Sequence, residues 1–457
     1  MTNDAFYKKM TTTPVHKLII SLSIPTILSM LVTNVYNLVD TAFVGRLGTS
    51  ASGAVGIVFG FMSILQAVGF MFGQGSGSMV SRTLGKQDPE TASKIASTGF
   101  FSAFAIAAIV EVICFIFIKP LVMVLGSTET IAPYAITYIS YILYAAPFVA
   151  SSFTLNNILR YEGKAKLGMI GLMTGGILNI GGDAFFMFKL NMGIAGAGLS
   201  TALSQIVSFS ILLSMFLRGK TQVKLSIKNV TFKNHTLGNI ITTGVPSLVR
   251  QGLGSLATII LNLEAASYAM DQGVAAMSIV SRVAFFLFAI SLGIGQGFQP
   301  VSGFNYGAGK YSRIRSAYKI TVILSASVLA VLTIAVLIAP SEIVKLFRDD
   351  EEVIVIGTRA LKVLCYGQLF LPATMVTEML MQSTGQRLSA LILSSLRGGL
   401  IFIPLLLILP RIRGMYGVEE AQPLAYVLSA IPAVFMARRY FIKLPTTDLP
   451  DKDSESN

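Results

Sequence analysis

Long apolar runs, separated by short polar segments, recur along nearly the whole chain. A helix that crosses a bilayer needs about 20 consecutive, mostly apolar residues. The run 320–339 contains no charged residue, and Glu111 is the one charge in the run 101–118. The pattern predicts an all-α integral membrane protein with twelve transmembrane helices. The predicted spans are residues 18–44, 54–81, 95–118, 132–159, 167–188, 193–217, 238–266, 273–304, 317–340, 353–382, 388–410 and 417–437.

Basic residues are distributed unevenly between the predicted spans. Of the 35 lysines and arginines, 23 fall in the two termini and in alternate loops, and seven fall in the opposite loops. In membrane proteins the cytoplasmic loops carry the excess of Lys and Arg. We therefore expect a multi-pass protein of the cell (inner) membrane with both termini in the cytoplasm. Residues 218–236 are then a cytoplasmic linker, and residues 444–457 are a polar cytoplasmic tail that we expect to be disordered.

Composition supports a surface that faces lipid. Hydrophobic residues make up 53% of the chain and charged residues 12%, whereas a soluble domain has about 25% charged residues. The net charge of +13 would suggest a nucleic-acid partner in a soluble protein. Because the basic residues lie between apolar runs, we interpret them as topology signals, and we expect the bilayer rather than nucleic acid as the partner.

The two halves of the sequence resemble each other at an offset of 221 or 222 residues. Six spans per half is an even number, so the halves have the same orientation. The prediction is two six-helix bundles related by a pseudo-two-fold axis along the membrane normal, which suits alternating access. We assign the lobes to residues 1–217 and 237–443. The matching elements are Gly73-Gln74-Gly75 with Gly295-Gln296-Gly297, Gly163 with Gly385, and Pro25 with Pro246.

Carboxylates inside spans are the first candidates for function, because each costs about 2.5–3.5 kcal/mol on insertion scales. Asp40 and Asp183 make the strongest case. At about 1.5 Å per residue both of them, and Thr201, lie in the outer half of the bilayer. Tyr36 and Asn179 each precede one of these aspartates by four residues and share its helix face. The set predicts a proton or sodium site. The alternative is that the carboxylates only form hydrogen bonds with polar groups and stabilise the helix bundle.

The second half carries Glu264 and Glu378 in its seventh and tenth spans. A cavity that faces either carboxylate would favour cations, so we predict a substrate cavity that includes Glu264, Glu378, Arg250 and Arg282. Arg397 also lies within a span. Two of the three arginines can partner the two acids, and the sequence does not say which.

Pro25 and Pro246 lie near the starts of the first and seventh spans. Proline removes a backbone hydrogen bond and kinks a helix. A kink at Pro25 would let the outer part of the first span, which bears Asp40, swing when an ion binds. The alternative is a static bend.

The sequence contains no complete nucleotide-binding motif. The segment 307–310 superficially resembles a phosphate loop, but Phe304 stands where the motif requires glycine, and Tyr311 replaces its Ser or Thr. No nucleophile–base pair is evident, so we expect no ATP, no cofactor and no enzymatic activity. A passive channel is another alternative, but channels usually surround a repeated filter loop, and none is visible.

Several motifs in order resemble the multidrug and toxic compound extrusion (MATE) family over about residues 14–440. These motifs are Ile24-Pro25-Thr26, Asn37-Leu38-Val39-Asp40-Thr41, Phe43-Val44-Gly45, Gly73-Gln74-Gly75, Leu178-Asn179-Ile180 with Asp183, and Gly193-Ile194-Ala195-Gly196-Ala197. The stretch 402–410 is similar to small drug pumps of the MepA-like bacterial branch. The resemblance implies twelve helices in two lobes and a secondary antiporter that exports organic cations and drugs in exchange for H⁺ or Na⁺. We expect a monomer.

The resemblance also implies site residues. The family's amino-lobe cation site, which would hold H⁺ or Na⁺, is carried over onto Asp40, Asn179, Asp183 and Thr201, and more weakly onto Tyr36 and Asn156. Some branches use carboxylates on the seventh and tenth helices, which Glu264 and Glu378 resemble. One departure is that Gly181-Gly182 precede Asp183 and Ala184 follows it, where the family commonly has bulky residues and then proline. We expect a looser helix at this point.

The nearest alternative function is a lipid-linked oligosaccharide flippase of the same superfamily. Such a protein needs a cationic cavity for pyrophosphate. The acids in the spans argue against this function, and the three arginines within the spans favour it.

Overall fold

The computed structural model describes residues 3–450, which form helices and no β-strand. The first half contains α1 (Asn3–Thr12), α2 (Val15–Gly45), α3 (Thr49–Gly85), α4 (Pro89–Ile116), α5 (Ile118–Val124), α6 (Ala132–Tyr161), α7 (Ala165–Asp183) and α8 (Gly193–Leu217). The second half contains α9 (Thr236–Gly307), α10 (Tyr311–Ile338), α11 (Pro340–Phe347), α12 (Glu351–Gln368), α13 (Leu371–Ser383), α14 (Arg387–Ser395), α15 (Phe402–Arg413) and α16 (Met415–Lys443). Two π-helical segments, Ala184–Lys189 and Leu396–Leu400, follow α7 and α14.

The number of spans agrees with the prediction of twelve. Within residues 3–450, ten helical segments are long and apolar enough to cross a membrane, and α12 with α13 forms an eleventh span bent by 48°. The helix α9 has 72 residues, which at about 1.5 Å per residue exceeds three times the roughly 30 Å hydrocarbon core. Its backbone breaks at Ala269 and Met270, where φ of Met270 is 45°. α9 therefore supplies two spans, and the twelve-helix prediction is confirmed.

The described helices pack into two compact units. We call Leu28–Leu248 the amino unit, and Met1–Ile27 together with Val249–Asn457 the carboxyl unit. Both divisions fall two residues after a proline, Pro25 in α2 and Pro246 in α9.

Each half of the sequence therefore begins with a helix that both units share. The opening residues of α2 pack in the carboxyl unit, and the opening residues of α9 pack in the amino unit. The compact units consequently differ from the lobes 1–217 and 237–443, which follow the order of the chain.

The glycines of the repeated motif make equivalent contacts in the two units. In the amino unit, Gly75 on α3 lies against the backbone of Ile240 at the start of α9. In the carboxyl unit, Gly297 on α9 lies against Ser23 on α2, and a Cβ at Gly297 would come within 2.7 Å of the Ser23 nitrogen. Packing thus explains the last glycine of each motif, since a helix backbone rests directly on Gly75 and on Gly297.

Within the amino unit, α6 packs against α3, α4, α7 and α8. Buried alanines, leucines and isoleucines line α6 along most of its length. This arrangement fixes the first turns of α6 beside α2, α7 and α8, which carry the predicted site residues.

The linker after α8 is held against the amino unit by its backbone. The Glu162 carboxylate follows α6 and is fully buried. Its two oxygens accept hydrogen bonds from the backbone nitrogens of Gln222 (2.9 Å) and Val223 (3.2 Å). Lys164 lies 3.7 Å from the same carboxylate and donates to the Lys220 carbonyl at 2.5 Å.

The tail after α16 is ordered as far as the structure describes it, contrary to the expectation of disorder. Asp448 accepts a hydrogen bond from the backbone nitrogen of Ser312 at 2.8 Å, at the start of α10. Lys310 donates to the Leu449 carbonyl at 2.8 Å. The carboxylate of Asp448 thus satisfies a free N–H group of a helix terminus, which a purely compositional argument overlooks. Residues 451–457 of the expected tail lie outside the described residues.

Candidate functional site

Two carboxyl groups meet inside the amino unit. Asp40, near the end of α2, exposes 8% of its surface, and Asp183, at the end of α7, exposes none. The two carboxyl groups lie close enough to interact with each other. A hydrogen bond between them would require a proton on one carboxyl group, because two carboxylates offer only acceptors. The structure therefore brings together the two carboxyl groups that the sequence singled out.

Polar side chains of α7 and α8 surround this pair. The Asn179 amide nitrogen donates to Asp183 at 3.5 Å and to the Thr201 hydroxyl at 3.1 Å. Ser200 donates to the Asn179 carbonyl at 3.0 Å and lies within hydrogen-bond reach of Asp183. Asn179 and Thr201 are almost completely buried. The structure thus brings four predicted residues together: Asp40, Asn179, Asp183 and Thr201.

Two tyrosines complete the site. The hydroxyl of Tyr138 on α6 donates to Asp40 Oδ2 at 3.5 Å and reaches Thr201. Tyr36, the predicted phenol one turn before Asp40, is buried and lies within hydrogen-bond reach of Gln205. The sequence reasoning missed Tyr138, Ser200 and Gln205. Depth could have identified Tyr138, because it lies six residues into a helix that enters from the same side on which α2 ends.

Three oxygens of the site receive no hydrogen bond from any described donor. They are Oδ1 of Asp40, Oδ1 of Asn179 and Oδ2 of Asp183. Oxygen ligands of this kind suit a proton or a hard cation such as Na⁺. Within residues 3–450, no group of three or more His, Cys, Asp or Glu side chains could hold a metal ion.

The local helix at Asp183 is loosened, as the glycines before it led us to expect. A π-helical segment, Ala184–Lys189, begins directly after Asp183. Gly182 faces Ser200, and a Cβ there would collide with the Ser200 hydroxyl. The glycine thus allows α8 to approach α7 closely enough for Ser200 to reach Asn179. Segments of π-helix occur frequently at functional sites.

Asn156 lies apart from the site. It is half-buried near the far end of α6, where its side chain faces Gly168 on α7. At about 1.5 Å per residue it is roughly 27 Å along α6 from Tyr138, which contacts Asp40. The family resemblance carried Asn156 over only weakly, and the structure does not bring it to Asp40.

In the carboxyl unit, Arg250 and Glu378 form a buried ion pair. The guanidinium of Arg250 on α9 donates to Glu378 Oε1 on α13 at 2.5 Å, and their side chains expose 8% and 0%. The acid that we expected to attract a substrate cation therefore already has a cation as its partner. Oε2 of Glu378 receives no hydrogen bond from a described donor.

The other predicted residues of the carboxyl unit lie elsewhere. Glu264 is half-buried on α9, about 21 Å from Arg250 by helical rise. Arg282 is exposed. Arg397, on the π-helical segment Leu396–Leu400, is nearly buried and lies near both Glu378 and Arg250. The four residues Glu264, Glu378, Arg250 and Arg282 therefore do not form one cluster.

A comparison with known families settles the relationship. The model of the family described as MatE matches residues 25–185 and 246–408. The chain belongs to the MatE family. The two matched segments begin 221 residues apart, as the internal repeat requires, and they contain the acid pair of the amino unit and the ion pair of the carboxyl unit. The MATE resemblance of the sequence is confirmed.

Relatives of this MatE protein match it over nearly its whole length. "Multidrug export protein MepA" of Staphylococcus haemolyticus (strain JCSC1435) is 26% identical over 423 residues, which are 92% of this chain and 93% of that protein. The protein of the same name from Staphylococcus aureus (strain MSSA476) is 27% identical over 424 residues, 93% of each chain. A solved structure, "Outward-facing conformation of a multidrug resistance MATE family transporter of the MOP superfamily", is 24% identical. It matches with a TM-score of 0.90 over 96% of this chain and 98% of that chain, which shows the shared fold.

Proposed function

We propose that this MatE protein is a secondary active antiporter that exports organic cations in exchange for H⁺ or Na⁺. The observation that supports the proposal is the buried pair of Asp40 and Asp183, with acceptor oxygens that no described donor reaches. Two acids in an apolar interior repel each other and are poorly solvated. A proton or a sodium ion relieves both penalties, so the pair favours loading an ion.

Ion binding at this pair would drive the transport cycle. A ligand shifts a conformational equilibrium only by its difference in affinity for the two states. The loaded pair would favour the state that releases the drug outward, and loss of the ion to the cytoplasm would reset the protein. Pro25 lies near the end of the opening residues of α2 and before Asp40, so the ion-bearing part of α2 can bend relative to its start.

The substrates and the orientation follow from the relatives and from charge. Two relatives are named as multidrug export proteins, and small organic cations are the substrates that we propose here. The excess of Lys and Arg in alternate loops supports the proposal that both termini lie in the cytoplasm. The ion gradient, rather than ATP, would supply the energy for a monomeric protein.

The test is dye accumulation in cells that express the protein, with the proton and sodium gradients collapsed in turn. We expect collapse of one gradient to abolish efflux of a cationic dye. Asp40→Asn should insert normally and lose export, because the amide cannot exchange a proton. Glu111→Gln is the matched control, since Glu111 is a half-buried acid in α4 outside the site. Normal export by Asp40→Asn, or loss of export only in Glu111→Gln, would refute the coupling site.

A lipid-linked oligosaccharide flippase is the second candidate, and the nearly buried Arg397 is the observation that favours it. Arg250 does not add to that argument, because Glu378 neutralises it. Translocation of lipid-linked sugar in vesicles, without efflux of cationic dyes, would establish the flippase instead.

A further inference from the structure

Three charged groups of the carboxyl unit, Arg250, Glu378 and Arg397, form a buried cluster whose charges do not balance. The side chain of Arg250 exposes 8% of its surface, and the whole residue Arg397 also exposes 8%. Glu378 exposes none. Arg397 lies within the electrostatic range of both other groups. Two guanidinium groups and one carboxylate leave a net charge of one positive unit inside a membrane protein.

Neighbouring groups soften this excess charge without cancelling it. The guanidinium of Arg397 lies 4.8 Å from the centre of the Phe288 ring and within hydrogen-bond reach of the Tyr426 hydroxyl. An aromatic face and a phenol stabilise a cation but carry no negative charge. Glu419, on the same helix as Tyr426, is engaged by Arg359 at 2.5 and 2.6 Å. An unpaired buried charge is costly, so an anion bound beside Arg397 would stabilise the cluster.

A donor of the cluster is also unused. The Nε–H group of Arg397 has no acceptor among the described residues, although the residue is more than nine-tenths buried. Guanidinium N–H groups are strong donors with a geometry that matches carboxylates. Arg397 projects from a π-helical segment, and such segments are frequent at functional sites.

We propose that Arg397, beside the Arg250–Glu378 pair, binds a monoanion. The monoanion is the carboxylate of a zwitterionic substrate or an inorganic chloride ion. Arg397 donates to the anion, and the Arg250–Glu378 ion pair holds the side chain of Arg250 in place beside it. The proposal rests on the proposed export function and adds a site that distinguishes zwitterions from simple cations.

The experiment uses the full-length protein in proteoliposomes with an imposed proton or sodium gradient. The probes are a fluorescent zwitterionic fluoroquinolone and its ethyl ester, which keeps the amine but lacks the carboxylate. If the substrate supplies the anion, the wild type should show a KM about tenfold lower for the zwitterion than for the ester. Arg397→Gln should remove this ratio, and Arg397→Lys should restore part of it. Arg411→Gln is the matched control, because it removes an exposed positive charge from the same unit.

A chloride arm separates the two sources of the anion. If chloride occupies the site, the wild type shows no preference for the zwitterion, but export of the ester slows when gluconate replaces chloride. Arg397→Gln then loses that dependence on chloride. A wild type that treats both probes alike and is indifferent to chloride overturns the proposal without any variant. Failure of the wild type to export either probe under both gradients would instead overturn the proposed function.

Discussion

Arg250 and Glu378, 128 positions apart in the sequence, meet in a buried ion pair of 2.5 Å that joins α9 to α13. Removal of one partner leaves a buried charge without compensation, which typically costs about 3–5 kcal/mol, whereas removal of both is far less damaging. We expect Arg250→Met to lower the melting temperature of the detergent-solubilised protein strongly. Arg250→Met combined with Glu378→Met should recover most of the loss.

The exposed ion pair of Arg413 and Glu420, at 2.7 Å, is the control for these single and double variants. Solvent screens it, so Arg413→Met should cost no more than about 1 kcal/mol. If the losses of melting temperature in the two single variants simply added up in the double variant, Arg250 and Glu378 would not be a coupled pair.

Tyr138 is predicted to support the acid pair through its hydroxyl. The bond to Asp40 is long, at 3.5 Å, so its net contribution is that of a weak hydrogen bond, about 0.5–1.5 kcal/mol. We expect Tyr138→Phe to lower the initial rate of gradient-driven dye export by about two- to tenfold. Tyr134→Phe, an exposed change on the same helix, should leave the rate at the wild-type value. Equal rates for both variants would remove Tyr138 from the site.

Gly75 and Gly297 should tolerate no side chain. A Cβ at either position collides with a helix backbone, at Ile240 or at Ser23. Overpacking of this kind costs about 1–3 kcal/mol, so Gly75→Ala and Gly297→Ala should both lower the melting temperature. At Gly238 on α9 a Cβ would enter open space, with no atom within 4 Å, so Gly238→Ala should be neutral or slightly stabilising. A comparable loss for all three would mean that helix packing is not the cause.

Glu162 should make stability depend on pH. Burial raises the pKa of this carboxyl group from 4.5 to about 7, against the opposing effect of Lys164 and of the Gln222 and Val223 backbone N–H groups. The folded protein therefore binds more protons than the unfolded chain between about pH 4.5 and 7, and its stability falls as the pH rises through that window. The slope from one group is at most about 1.4 kcal/mol per pH unit.

We expect Glu162→Gln to flatten the melting temperature between pH 5 and 7.5, because the amide does not titrate. Glu90→Gln removes an exposed acid of α4 and should keep the wild-type profile. The prediction fails if Glu162→Gln retains the slope of the wild type.

The two acids of the amino unit could be singled out from the sequence because acidic residues are rare in its spans. Asp40 and Asp183 lie in long apolar helices, and helical rise is regular enough to place them at one depth. Tyr138 was missed because a tyrosine is unremarkable in a membrane helix, where it is amphipathic. Asn156 was misplaced because a resemblance between sequences matches positions along a helix and does not measure distances within the bundle.

The carboxyl unit was less predictable for a different reason. Three arginines and two acids allow several pairings, and sequence separation does not limit which residues meet across a folded bundle. The partner of Glu378 is decided by how α9, α13 and the π-helical segment at Arg397 pack. The bend between α12 and α13 and the two π-helical segments likewise depend on tertiary packing, although Gly181-Gly182 gave a local signal for one of them.

The sharing of α2 and α9 between the compact units has a consequence for the origin of the protein. A half-length ancestor, before its duplication, would have had to form a dimer. In that dimer the opening segment of each copy would have packed into the helix bundle of the other. The present halves remain mutually dependent: a fragment that ends before Thr236 lacks the segment that covers Gly75. Separately expressed halves should accumulate only when they are produced together.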